Sequence, residues 1–122
     1  MNLVAVLIGG ALGAASRYSV GLYFQKNAFL AGFPIATLLV NVIGSFCLAL
    51  LFFLKLEQLP QALRLGIATG FLGALTTFST FELESFLLFE KGRIGIALLY
   101  FFGNLILGML AVLLARSLAL KL

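Results

Sequence analysis

The chain has 122 residues, of which 63% are hydrophobic and only 10% are charged, and its mean hydropathy is +1.21. About a quarter of the residues of a soluble domain are charged, so this composition excludes an ordinary soluble domain and predicts an integral membrane protein. The net charge of +4 comes from basic residues scattered singly, which is typical of membrane flanks and argues against a nucleic-acid partner. The absence of histidine removes the commonest metal ligand and neutral-pH base, and the single Cys47 is interpreted as a small buried hydrophobe.

Four apolar runs are long enough to cross a bilayer, since a spanning helix needs about 20 apolar residues. They cover residues 3–24, 33–54, 62–89 and 94–115, and short connections separate them. The first run lacks a preceding positive segment and continues beyond the length of a signal peptide, so we interpret it as a mature span. The predicted fold is a single all-α domain, residues 1–122, with four transmembrane helices.

The first span carries a stripe of small residues that ends in a charge. Gly9, Gly13, Arg17 and Gly21 follow one another at intervals of four, which places them on one helix face. Small residues at this spacing allow a second helix to approach closely. Arg17 either reaches a water-filled vestibule, where it would attract anions, or extends to the membrane interface as long basic side chains commonly do.

The second span repeats this spacing with polar residues, Thr37, Asn41 and Ser45. Asn41 falls in the middle of the span, where its amide offers two hydrogen-bond donors and one acceptor group. Two interpretations remain open. Asn41 is either a hydrogen-bonded contact between helices, which is common in membranes, or part of the lining of a polar pathway.

The third span is longer than a bilayer requires and contains an interruption. Gly70–Thr80 combines glycines with four hydroxyl residues, which are poor helix formers and compete for backbone hydrogen bonds. The sequence therefore predicts a break or unwound turn near Gly73–Thr76. Non-helical backbone at this depth is tolerated only where protein buries it or a cavity solvates it.

The stretch after the predicted break has the chemistry of an anion pathway. Phe78 and Phe81 share a helix face, and the edges of their rings carry partial positive charge that can contact an anion, although packing is the default role of phenylalanine here. Glu84 lies on the same face, and an acid within a span indicates a functional site, whereas Glu82 points elsewhere. We expect Glu84 to gate the neighbouring hydroxyls or to hold Thr77 or Thr80 in place. Three hydroxyls of this turn can donate to an anion: Thr77, Ser79 and Thr80.

The fourth span offers a weaker polar stripe. Tyr100 and Asn104 lie four residues apart, and Gly108 follows one step further. This stripe can face the same cavity as the polar residues of the other spans.

The basic residues show no bias between the two sides of the membrane. If the spans cross alternately, one side carries Lys55, Arg64, Arg116 and Lys121, and the other carries Arg17, Lys26, Lys91 and Arg93. Because the bias of lysine and arginine sets orientation, a chain without bias can insert both ways. Two oppositely inserted copies then reproduce the inverted repeats that transporters build into one chain. The charge count thus favours a dual-topology homodimer.

Three motifs carry a resemblance to a known family: GGALGAASRY from Gly9, TLLVNVIGSF from Thr37 and GFLGALTTFSTF from Gly70. With these motifs in this order, nearly the whole chain resembles the Fluc/CrcB family of fluoride channels. The resemblance implies an antiparallel, dual-topology homodimer of four-helix subunits in the cytoplasmic (inner) membrane, with the third helix broken and two pores for fluoride.

The resemblance also implies roles for individual residues. A structural sodium ion is implied at the dimer centre, held by backbone carbonyls at positions that match Gly73 and Thr76. The vestibule arginine of the family matches Arg17, and its acid after the third motif matches Glu84. The fourth span departs from the family pattern because it lacks a fuller hydroxyl track. The pore residues of the family match Asn41, Phe78, Phe81, Ser79 and Thr80, and by a weaker match Tyr100 and Asn104.

The resulting hypothesis is passive, selective export of fluoride, with the bilayer and a second copy of the chain as partners. The chain has no phosphate-binding glycine loop with a lysine and no catalytic triad, so an enzyme is not expected. One rival is a small dual-topology, proton-coupled multidrug exporter, but its first span would need an acid where this chain has Arg17, and the chain has no tryptophan. The other rival is a non-transporting assembly subunit whose polar residues only join helices.

Overall fold

The computed structural model describes residues 1–27, 32–56 and 58–122, and every regular element in these ranges is helical. Residues 28–31 of the predicted first connection, 25–32, lie outside the described residues, and so does Glu57 in the second connection. Residues 61–90 form the third span in four pieces that follow one another. The elements are α1 (Asn2–Asn27), α2 (Ile35–Phe53), α3 (Gln61–Leu65), a π-helical segment (Gly66–Leu72), α4 (Gly73–Leu75), α5 (Phe78–Glu90) and α6 (Ile94–Ala119).

The four predicted apolar helices are confirmed, and the chain is a multi-pass membrane protein. The stretches Asn2–Lys26, Ile35–Phe53, Gln61–Glu90 and Ile94–Ala119 are each long and apolar enough to cross a bilayer. The last helix continues past the predicted end at residue 115, with Arg116 in its final turn. A basic side chain is favourable there because the carbonyl end of a helix carries partial negative charge.

Glycines bring α1 and the π-helical segment into direct backbone contact. A Cβ atom at Gly9 would overlap the carbonyl oxygen of Gly66, and one at Gly13 would overlap the carbonyl oxygen of Phe71. The predicted close approach of a second helix is therefore present at these two positions. Gly21, on the same stripe, has no atom within 4 Å of an added Cβ, so the close contact ends before this residue.

Two apolar clusters lie on either side of the break in the third span. One joins α2, α5 and α6 through Leu38, Phe81, Leu88, Ala97 and Tyr100. The other joins α2 to the first half of the third span through Val40, Leu72 and Leu75, and the half-buried Cys47 packs against it as a hydrophobe. Because α2 contributes to both clusters, it packs alongside the break, and its polar residues can contact the break.

Candidate ion pathway

The third span is interrupted at Thr76 and Thr77. Both residues are extended, with φ/ψ of −83°/155° for Thr76 and −151°/120° for Thr77. The Thr76 hydroxyl donates to the Leu72 carbonyl at 2.9 Å, and the Thr77 hydroxyl accepts from the Thr80 N–H at 3.3 Å, which is an N-cap. The helix thus continues through Gly73, and the break lies at the end of the predicted stretch Gly73–Thr76 because the two hydroxyls cap the helices on either side.

Asn41 of α2 holds the break through its side-chain amide. Its Oδ1 accepts from the Thr77 N–H at 2.8 Å, and its Nδ2 donates to the Thr77 carbonyl at 3.1 Å. The second hydrogen of Nδ2 is donated to Asn104 Oδ1 at 3.0 Å, and Asn104 in turn donates to the Tyr100 carbonyl. An amide has two donor hydrogens, so both donors of Asn41 are engaged within the chain. These contacts are the ones expected if Asn41 joins helices through hydrogen bonds. Asn41 also lines a cavity.

Glu84 joins α5 to the helices on both sides of it. Its Oε1 accepts from the Thr37 hydroxyl at 3.2 Å, and its Oε2 accepts from the Tyr100 hydroxyl at 2.6 Å. Hydroxyl donors of this kind offset the cost of removing a carboxylate from water. The expectation that Glu84 holds Thr77 or Thr80 is wrong, because its two oxygens accept from Thr37 and Tyr100 instead, and Thr77 donates to Thr80 at 3.0 Å. Gating of the hydroxyls by Glu84 stays a prediction. The contribution of Thr37 was missed, although its place at the head of the α2 stripe signalled it.

Two cavities meet at the break. The break cavity, of about 270 Å³, has Asn41, Gly73, Thr76, Phe78, Phe81 and Asn104 among its lining residues. The Arg17 cavity, of about 490 Å³, has Arg17, Thr37, Thr80 and Glu84 among its lining residues. Thr77 lines both, so the extended backbone separates them. Arg17 and Glu84 face one cavity, and no ion pair forms there between residues of the described ranges.

Phe78 and Phe81 contact each other but lie in different environments. Their ring centroids are 5.8 Å apart with an interplanar angle of 62°. Phe78 is 71% exposed, whereas Phe81 is 2% exposed and packs against Tyr100 and Phe101. The helical spacing correctly predicted a shared face. It did not predict that one ring would project from the chain while the other belongs to the core.

The remaining predicted pathway residues are distributed unevenly. Thr80 is half-buried at the Arg17 cavity, whereas Ser79 is exposed and lines neither cavity. Asn104 lines the break cavity, but Tyr100 is fully buried and reaches the site through Glu84. The single chain therefore brings together Asn41, Thr77, Phe81 and Asn104 at the break, and leaves Ser79 and Phe78 on its surface.

The backbone at the break supplies oxygen atoms that fit a hard cation. In a continuous helix the Gly73 carbonyl would accept from the Thr77 N–H, and the Thr76 carbonyl from the Thr80 N–H. Those donors bind Asn41 Oδ1 and Thr77 Oγ1 instead, so both carbonyls lack their helical partners. Both residues line the break cavity, and carbonyl oxygens are suitable ligands for such ions. No cluster of three acidic, histidine or cysteine side chains that could hold a metal occurs in the described part of the chain.

The chain matches a known protein family over most of its length. A family model described as "CrcB-like protein, Camphor Resistance (CrcB)" matches residues 4–116. The chain belongs to the CrcB family. Curated relatives in this family include three proteins named "Fluoride-specific ion channel FluC". The one from Methylobacterium sp. (strain 4-46) is 44% identical over 115 residues, which are 92% of this chain and 90% of the relative.

The other two relatives are similar to this chain over most of its length. A protein from Thermus thermophilus is 47% identical over 106 residues, 86% of this chain and 83% of the relative. The protein from Hydrogenobaculum sp. (strain Y04AAS1) is 41% identical over 120 residues, 97% of each chain. Residues 4–116, which the family model matches, contain the break and the residues that line both of its cavities.

Proposed function

We propose that this chain is a passive, fluoride-selective ion channel that exports fluoride across the cytoplasmic membrane and has no enzymatic activity. The observation that carries the proposal is the name shared by CrcB relatives that are 41–47% identical over at least 86% of this chain. The geometry supports it, because a polar, extended break lies between two cavities within a membrane span.

A fluoride pore must replace the water around a small, strongly hydrated anion with donors that bind it weakly in series. In this chain the donors of Asn41 are occupied, so Asn41 acts by positioning Thr77 and by lining the break cavity. The hydroxyl of Thr80 accepts from Thr77 and keeps its own proton for an anion. Ser79 and the edges of Phe78 and Phe81 supply further contacts, and Arg17 raises the local concentration of anions in its cavity.

The functional unit in this proposal is an antiparallel homodimer with two pores. The even division of basic residues between the two sides supports dual insertion. The exposed Phe78 and Ser79, next to the open break cavity, provide a surface for a second copy. Gly73 and Thr76 carbonyls from each copy would then hold a structural sodium ion, whose positive charge would stabilise the pairing of the two breaks.

Purified protein in liposomes tests the proposal. Potassium fluoride is trapped in one set of vesicles and potassium chloride in a parallel set, valinomycin is added to carry potassium, and efflux is followed with fluoride- and chloride-selective electrodes. Rapid fluoride efflux with no chloride efflux is expected. Folded, monodisperse protein without fluoride efflux would refute the channel, and uptake of an organic cation driven by a proton gradient would indicate an exporter instead.

The antiparallel arrangement is tested separately with single cysteines in a Cys47→Ser background. Positions near residue 26 and near residue 120 lie at opposite ends of the chain's spans. Cross-linking between unlike ends in a mixture of the two variants supports antiparallel pairing, whereas cross-linking only between like ends contradicts it. Replacing sodium with a large organic cation during purification is expected to weaken the dimer.

A further inference from the structure

A third cavity, of about 590 Å³, lies where α2 ends and α3 begins, away from the break. It is larger than both the break cavity and the Arg17 cavity, and the channel function proposed above assigns it no role. Two basic residues line it, Lys55 and Arg64, together with apolar side chains of α2 that include Leu48, Leu51 and Phe52. We propose that this cavity binds an anionic phospholipid, with the phosphate on Arg64 and Lys55 and one acyl chain against α2.

The first argument is the state of the Arg64 side chain. Its Nε is buried and has no hydrogen-bond partner within the described ranges. A buried donor without an acceptor is costly, and nearly all such groups in native proteins are paired. A guanidinium group presents its N–H donors in a planar fork that matches phosphate oxygens. Because that Nε exposes no surface, a phosphate can pair with it only if the Arg64 side chain turns toward the cavity that it lines.

The second argument is charge. Lys55 and Arg64 line one cavity. Lys55 has a positive φ of 47°, so the chain turns at this residue directly after α2 ends at Phe53. Two positive charges at one cavity favour an anionic headgroup over a zwitterionic one.

The third argument is the place of the cavity in the membrane. It lies at the end of one span and the beginning of the next, which is the depth at which lipid headgroups meet the hydrocarbon region. Phe52 is 75% exposed beside it, and Leu48 and Leu51 continue the apolar wall towards the middle of the bilayer. A free phosphate ion would use the two charges and leave this wall unused, whereas a phospholipid would use both.

Native mass spectrometry of the full chain in detergent tests this proposal. Protein is titrated separately with dioleoylphosphatidylglycerol, dioleoylphosphatidylcholine and inorganic phosphate. We expect one tightly held phosphatidylglycerol per chain, weaker binding of phosphatidylcholine and no retained inorganic phosphate. Equal binding of the two lipids would overturn the proposal, and so would retention of inorganic phosphate with the same affinity as the lipid.

Variants then locate the site. Arg64→Gln and Lys55→Gln are each expected to weaken phosphatidylglycerol binding by about fivefold, as removal of one basic residue near an anionic lipid surface predicts. Arg116→Gln is the matched control, since Arg116 is a basic residue near the same end of the molecule that does not line this cavity. Leu51→Trp keeps both charges and fills the apolar wall, and is also expected to weaken binding.

Circular dichroism and size-exclusion profiles confirm that each variant is folded before its binding is compared. An equal loss in Arg116→Gln would show a diffuse charge effect and would refute a defined site. Unchanged lipid binding in the Lys55→Gln/Arg64→Gln double variant would refute it as well. Because this readout is lipid retention, a negative result leaves the fluoride flux assay unaffected, and failure of the flux assay leaves this test intact.

Discussion

The third span has a glycine-rich first half, Gly66–Leu72, and a hydroxyl-rich second half that begins with the N-cap residue Thr77. The first half packs against α1 backbone to backbone, because glycines on both sides remove the intervening side chains. The second half is held by side-chain hydrogen bonds, from Asn41 to Thr77 and from Thr37 and Tyr100 to Glu84. Close backbone packing positions the half before the break, and in the half after it side-chain hydrogen bonds add to the apolar contacts of α5. The two halves should therefore respond differently to substitution.

The largest effect is expected from a bulky side chain in the glycine contact. Gly13→Leu would force α1 away from the carbonyl of Phe71. Adding side-chain volume to a tightly packed contact destabilises the folded protein. We expect little or no folded, monodisperse protein after detergent extraction. Gly21→Leu is the matched control, since an added Cβ there meets no atom within 4 Å. Equal yields of the two variants would contradict the description of the first half.

The next largest effect is expected at Asn41. Asn41→Leu removes both hydrogen bonds to the Thr77 backbone, and two buried backbone groups without partners cost about 2–6 kcal/mol. We expect a lower unfolding temperature and loss of fluoride flux, since the break would no longer be held. Asn41→Asp keeps the acceptor for the Thr77 N–H, so its unfolding temperature should lie between those of the leucine variant and the original chain.

A smaller effect is expected at the contact between Tyr100 and Glu84. Tyr100→Phe removes one hydrogen bond to the carboxylate and leaves the ring packing in place, and a hydrogen bond between membrane helices contributes about 1 kcal/mol. If Glu84 holds α5 only through its two hydroxyl partners, the unfolding free energy of the Thr37→Val/Tyr100→Phe double variant should fall by more than the sum of the decreases in the two single variants. Simple additivity, measured as unfolding free energy in a double-mutant cycle, would show that the two contacts are independent.

The smallest effect on stability, but a clear one on transport, is expected at Phe78. Phe78→Ile alters a ring that is 71% exposed, so the unfolding free energy of the single chain should change by no more than about 0.5 kcal/mol. Fluoride flux should fall sharply, because the edge of the ring is lost from the pathway. Phe81→Ile, at the buried partner ring, should lower both quantities. Unchanged flux in both variants would remove the ring edges from the mechanism.

Local features of the sequence were sufficient to predict the four spans and the interruption of the third. Hydropathy over a window of residues does not depend on which helices pack together, and threonine at 76 and 77 disfavours helix through its own hydroxyl. The glycine stripe of α1 was likewise visible at Gly9 and Gly13 from spacing alone. The identification of polar residues at membrane depth required only their position within an apolar run.

Partners and exposure were decided by the tertiary structure alone. Spacing places Phe78 and Phe81 on one helix face, but the rotation of α5 against α6 determines that Phe81 is buried and Phe78 exposed. Glu84 was expected near Thr77 or Thr80, and its hydroxyl partners instead come from α2 and α6. Helical periodicity relates residues of one helix to each other, whereas the partners of a buried polar group depend on which other helices meet it and at what height.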